Sequence, residues 1–113
     1  MKETSQPKLH PLLVRAVAQA LVAIFFENRH ADKVIEQTLK SNPKAGSRDR
    51  AFIAETTYDV LRYYRYYSAI LGRTPRVEAD FWQMVGIHFF LKSHQLPDWA
   101  EFKTLKIKDL DTR

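Results

Sequence analysis

No cysteine occurs among the 113 residues. That absence excludes disulfides, thiolate metal sites and cysteine nucleophiles together, and it fits a cytoplasmic protein. Glycine occurs only three times, and no glycine-rich loop follows a strand-like run, so the phosphate-cradling loops of nucleotide enzymes are missing. No G-x-S-x-G elbow is present either. The apolar runs LVAIFF and FWQMVGIHFFL fall far below the ~20 residues that a bilayer crossing needs, and no stretch reads as a signal peptide. Of the four histidines, His10, His30, His88 and His94, no pair has the i, i+4 spacing with a carboxylate that a zinc hydrolase helix shows. Glu55 and Asp59 do stand at i, i+4, but neighbouring arginines explain them as surface charges, in ion pairs such as Asp59 with Arg62. The chain is left without a recognisable active site, metal centre or cofactor loop of its own.

What is present is a one-domain length, 45% hydrophobic residues and a net charge of +5, a composition that suits a compact helical domain. The charge is unevenly placed. Lys40, Lys44, Arg48, Arg50, Arg62, Arg65, Arg73 and Arg76 are opposed between positions 40 and 76 only by Asp49, Glu55 and Asp59, so this stretch holds the whole net charge. Such a concentration points to an anionic partner, nucleic acid first and an acidic protein surface second.

Hydrophobic periodicity organises the chain around residues 47–71, which read as one long helix. Spacing of ~100° per residue brings Ile53, Thr57, Val60, Leu61, Tyr64, Tyr67, Ser68 and Leu71 onto a core-facing stripe. The opposite face gathers Arg48, Glu55, Tyr58, Arg62, Arg65, Tyr66 and Ala69. Ser47 is placed to cap the start, Asp49 complements the helix dipole, and Gly72 supplies the stop.

Before it, residues 9–28 predict a helix that tolerates Pro11 in its first turn and buries Val14, Val17, Leu21, Ile24 and Phe25. A shorter helix over 32–40, capped by Asp32, covers the core with Val34, Ile35 and Leu39. After it, Asp80 is placed to cap a helix over 81–94 that is apolar on nearly every side, as suits a central position. Gly86 inside that helix marks close approach by a neighbour. Asp98 and Glu101 have capping-box spacing, while Trp99 and Phe102 close the bottom of the core. Residues 1–8 read as a polar leader and 104–113 as a linker. The expected fold is therefore an all-α bundle of about five helices around a long central one.

The candidate contact residues follow from the charged face. Lys44, Arg48 and Arg50 fall at the amino end of the long helix, where free backbone amides also favour phosphate. Arg62, Arg65 and Tyr66 lie on its outer face, and Arg73 and Arg76 in the loop beyond. Arginine and tyrosine together suit phosphate pairing and stacking on unpaired bases. Of the five tyrosines, Tyr64 and Tyr67 fall on the buried stripe and Tyr63 on its flank, leaving Tyr58 and Tyr66 outward.

Ser47-Arg48-Asp49-Arg50-Ala51-Phe52 followed by Tyr58-Asp59-Val60-Leu61-Arg62 resembles the long-helix signature of NusB-like RNA-binding domains, in the version at the amino terminus of RsmB-type (Fmu, Sun) 16S rRNA cytosine-C5 methyltransferases. Arg15-Ala16 and Ala20-Leu21 look like the family's matching first helix, and the resemblance covers roughly residues 9 to 103. Asp59 stands where the family usually has glycine. The resemblance implies an all-helical, non-catalytic domain that binds ribosomal RNA. In the parent protein a methyltransferase domain using S-adenosylmethionine follows it, and residues 104–113 would lead toward that domain. A different reading is a protein-interaction module or a stand-alone NusB-like antitermination factor. A helix-turn-helix DNA binder fits less well, because the arginines are spread along the long helix, whereas a recognition helix presents its readers near one end.

Overall fold

The computed structural model describes residues 9–93, 99 and 102. Within them the chain forms five α-helices and no strand: α1 Pro11–Phe26, α2 Ala31–Lys40, α3 Ser47–Arg62, α4 Tyr64–Leu71 and α5 Glu78–Ser93. The expected all-α bundle is what forms. The expected leader, the linker, His94 and the Asp98/Glu101 capping box lie outside the described residues.

Pro11 takes the first helical position of α1, where its missing N–H costs nothing. Val14, Val17 and Leu21 are fully buried, and Ala16, Ala18, Ala20 and Ala23 are buried beside them. The small alanines let α1 serve several neighbours at once: it packs against α5, α3 and α2. Asn28, in the left-handed region at φ 56°, turns the chain out of α1. The Arg29 amide bonds back to the Ala23 carbonyl at 3.2 Å there.

The central helix differs from its expectation. It is not continuous over 47–71 but breaks at Tyr63, whose backbone (φ −106°, ψ 25°) leaves the helical region. No proline or glycine causes this. Partners of the segment just beyond the bend do: Tyr64 stacks on Phe25 of α1 with ring centroids 4.4 Å apart, while the Tyr67 hydroxyl reaches Nδ1 of His88 on α5 at 2.9 Å. A run of tyrosines, weak helix formers, yields to those contacts. The amide of Tyr63 still bonds to the Asp59 carbonyl and that of Tyr67 to the Tyr63 carbonyl, so the bend is an elbow rather than a loop.

Three caps also differ. Gly46, not Ser47, holds the N-cap position of α3, and Ser47 is already helical with no side-chain cap bond. His30 precedes α2, and Asp32 lies inside its first turn, where the carboxylate accepts a hydrogen bond from the Tyr58 hydroxyl. Asp80 sits within α5 and reaches back, accepting from the Arg76 and Val77 amides at 2.8 and 3.3 Å. That is the reciprocal half of a capping box, which satisfies otherwise orphaned donors. Gly72 ends α4 as expected, in the left-handed conformation at φ 91°.

Helix α5 packs against α1, α4 and α3, with Phe81, Met84, Val85 and Ile87 fully buried. Phe81 meets Phe25 and Phe26 at centroid distances of 5.7 and 5.3 Å. Gly86 has the close neighbour its position implies: a Cβ there would stand 2.6 Å from Cε1 of Phe102. Phe102 is itself buried and stacks on Trp99 at 5.2 Å. Burying each such large side chain contributes ~1.5–3 kcal/mol.

Candidate nucleic-acid interface

The eight candidate residues fall into three groups along the α3–α4 edge. Lys44, Arg48 and Arg50 surround the start of α3, Arg62, Arg65 and Tyr66 sit at the elbow, and Arg73 and Arg76 lie between α4 and α5. Arg48 and Arg62 stand ~21 Å apart at 1.5 Å per helical residue. The groups therefore form an edge, not one cluster.

Two of the eight are committed to the fold. The half-buried Arg50 donates from Nη1 to the Leu39 carbonyl at 3.3 Å, tying α3 to the end of α2. The Arg73 guanidinium pairs with Asp80. Burial works against the Asp80 carboxylate, but the Arg76 amide, the Arg73 guanidinium and the Val77 amide outweigh it and hold its carboxyl below the ordinary value. Lys44, Arg48, Arg62, Arg65 and Arg76 are exposed, and among the described residues their side chains make no ion pair.

The acid nearest Arg62 in sequence faces elsewhere. Asp59 is not paired with Arg62, as expected from spacing, but turns toward α5, with Oδ2 3.5 Å from Nζ of Lys92 and 3.7 Å from Nε2 of His88. Asp59 also lines a cavity of about 260 Å³ with Phe52, His88 and Phe89.

His88 is buried between Asp59 and Tyr67. Burial, helped by the Lys92 ammonium and opposed by Asp59, holds its imidazole below the ordinary value of 6.5. With Nε2 facing a carboxylate, that nitrogen is assigned the proton, and Nδ1 accepts from the Tyr67 hydroxyl. Burial first, then the charge of Asp59, pushes the Tyr67 hydroxyl up to about 12, so it stays a donor. This network joins α3, α4 and α5, and Tyr67 is too deeply buried to meet a substrate.

Sequence periodicity misjudged one tyrosine and underspecified another. Tyr63, placed on the flank of the buried stripe, is 45% exposed because the elbow turns it outward, close to the 54% of Tyr66. Both line an open cleft of about 550 Å³ with Arg62 and Arg65, and Phe25 and Tyr64 form its apolar part. Tyr58 is exposed as expected, but its hydroxyl is engaged by Asp32 across the α2–α3 contact.

Among the described residues, no group of three or more acidic or histidine side chains is arranged to hold a metal ion. No described helix is long and apolar enough to cross a membrane. No family model, curated protein or solved structure matches the chain.

Proposed function

We propose that the chain is a non-catalytic RNA-binding module, the amino-terminal domain of an rRNA cytosine-C5 methyltransferase of the RsmB type. In this reading it holds phosphates of ribosomal RNA and orients the strand toward a catalytic domain that binds S-adenosylmethionine. One observation carries the reading: Arg48, Arg62, Arg65, Arg76 and Lys44 are exposed without ion-pair partners among the described residues, while Asp59 is turned to Lys92 and His88 of α5. Asp59 stands one helical turn from Arg62 yet faces Lys92 and His88 instead, which leaves that guanidinium available to an anion. The resemblance of the 47–62 segment supplies the identity of the RNA and of the parent enzyme.

Phosphate contacts of this kind position a strand without reading its sequence. Binding of the chain to small-subunit rRNA fragments should therefore fall steeply with salt, and Arg62→Ala should shallow the log–log slope by ~0.7 for a single-stranded site. Titration across salt, against duplex DNA of equal charge, tests this. An unchanged slope removes Arg62 from the interface, and no binding at low salt overturns the reading.

A protein-interaction module is the second reading, favoured by Phe26, 42% exposed at the end of α1. Exposed large aromatics of this kind are enriched at protein interfaces.

A further inference from the structure

We propose that the elbow between α3 and α4 is a stacking site for an unpaired RNA base, with Tyr63 and Tyr66 as platforms and Arg62 and Arg65 on the flanking phosphates. This rests on the RNA-binding reading above and goes beyond it, since phosphate contact alone would suit single strand and duplex equally. The faces of bases within an A-form duplex are hidden in the stack, and side chains reach only its phosphates, sugars and shallow groove. An aromatic platform has value only where a base is splayed out.

Three observations converge on the elbow. Tyr63 and Tyr66 are among the most exposed aromatic side chains of the described residues, and both line the same cleft as the two free guanidinium groups. Their rings are also braced from behind: each lies 5.9 Å from the ring of Tyr67. Tyr67 is in turn held through its hydroxyl by His88. A platform fixed in this way loses little rotamer freedom on binding, which lowers the entropic cost of association. Finally, the cleft volume of about 550 Å³ lies within the ~300–1,000 Å³ usual for ligand clefts. An acidic protein segment would match the arginines equally well, but it would leave the paired tyrosine faces without a stacking partner.

The test uses the full chain and a single-stranded oligoribonucleotide of about eight nucleotides carrying 2-aminopurine, beside a duplex RNA of equal charge. Binding of the single strand should quench the 2-aminopurine fluorescence through stacking. The double variant Tyr63→Ala/Tyr66→Ala should bind the single strand ~5- to ~100-fold more weakly, in line with the measured worth of base–aromatic stacking. It should bind the duplex within about twofold of the parent chain, because phosphate contacts are untouched. Tyr63→Phe/Tyr66→Phe, which keeps both rings, should retain single-strand affinity, while Arg62→Ala/Arg65→Ala should weaken both forms together. Binding with no loss in the alanine variant, equal loss on duplex and single strand, or no quenching would overturn the stacking site while leaving RNA binding intact. A parent chain that binds neither form would overturn the RNA reading itself, and capture of an acidic peptide at the same cleft would replace it.

Discussion

The inner and outer faces of α3 and α4 are built from the same residue types and put to opposite use. Inward, Thr57, Tyr67 and Asp59 are committed: the Thr57 hydroxyl donates to the Ile53 carbonyl at 2.7 Å, Tyr67 bonds to His88, and Asp59 faces Lys92 and His88. Outward, Arg48, Arg62 and Arg65 are without ion-pair partners among the described residues, and Tyr63 and Tyr66 are exposed. A tyrosine facing in joins helices, and one facing out awaits a partner. Stability and recognition are thus carried by different residues of the same two helices, and substitutions should separate them.

The largest expected effect lies on the inner side. Phe81→Ala removes a fully buried ring that contacts both Phe25 and Phe26 and should cost ~3–5 kcal/mol of unfolding free energy. Urea denaturation measures it. The salt slope for RNA, taken where the variant is still folded, should match the parent, and a changed slope would break the separation of the two faces. Gly86→Ala is next: its Cβ would press on Phe102. Overpacking of ~1–3 kcal/mol works against a helix-propensity gain of about 1 kcal/mol, for a net loss smaller than that at Phe81. A stabilised variant would mean that the Phe102 ring gives way freely.

The buried network predicts a pH dependence. His88 has its imidazole held below the ordinary value of 6.5 in the folded protein, so the unfolded chain binds a proton at a pH where the folded one does not. Stability from this group is complete above 6.5 and is lost as pH falls from there through the lower folded value. Urea midpoints measured between neutral and mildly acidic pH should fall for the parent. His88→Gln should be less stable at neutral pH and lose that part of the slope. An identical pH profile in the two proteins would remove His88 as its source.

How far the sequence foretold these features depended on whether their cause was local. The stripe from Ile53 through Tyr67 was legible because helical periodicity reports burial directly, and Ile53, Thr57, Val60 and Tyr67 are buried. Gly86 was legible because a glycine inside an apolar helix has few other reasons to be there. The elbow was not. Nothing within residues 60–66 forbids a continuous helix, and the bend at Tyr63 answers to Phe25 and His88, both distant in sequence. The same holds for Asp59, whose nearest opposite charge in sequence is Arg62 but whose neighbours in space come from α5. The arginines were placed on the correct outer face, yet local spacing could not reveal that Arg73 answers Asp80 and Arg50 the Leu39 carbonyl.

The smallest change is expected at Tyr58. By periodicity Tyr58 and Tyr66 are equivalent outward tyrosines, and by exposure they are similar, at 43% and 54%. They differ in what holds them. The Tyr58 hydroxyl donates to Asp32 on α2, and that hydrogen bond is the first cause raising its pKa above 10.0. Tyr66 instead leans on Tyr67 beside two free guanidinium groups. Tyr58→Phe should therefore leave RNA affinity within about twofold of the parent, since no phosphate or stacking contact is removed, and should lower the melting temperature only slightly, because an exposed hydrogen bond largely exchanges with water. Tyr58→Ala should likewise spare affinity, whereas Tyr66→Ala should not. If both alanine variants weakened single-strand binding alike, the recognition surface would extend along the whole outer face of α3, and the elbow would lose its special place.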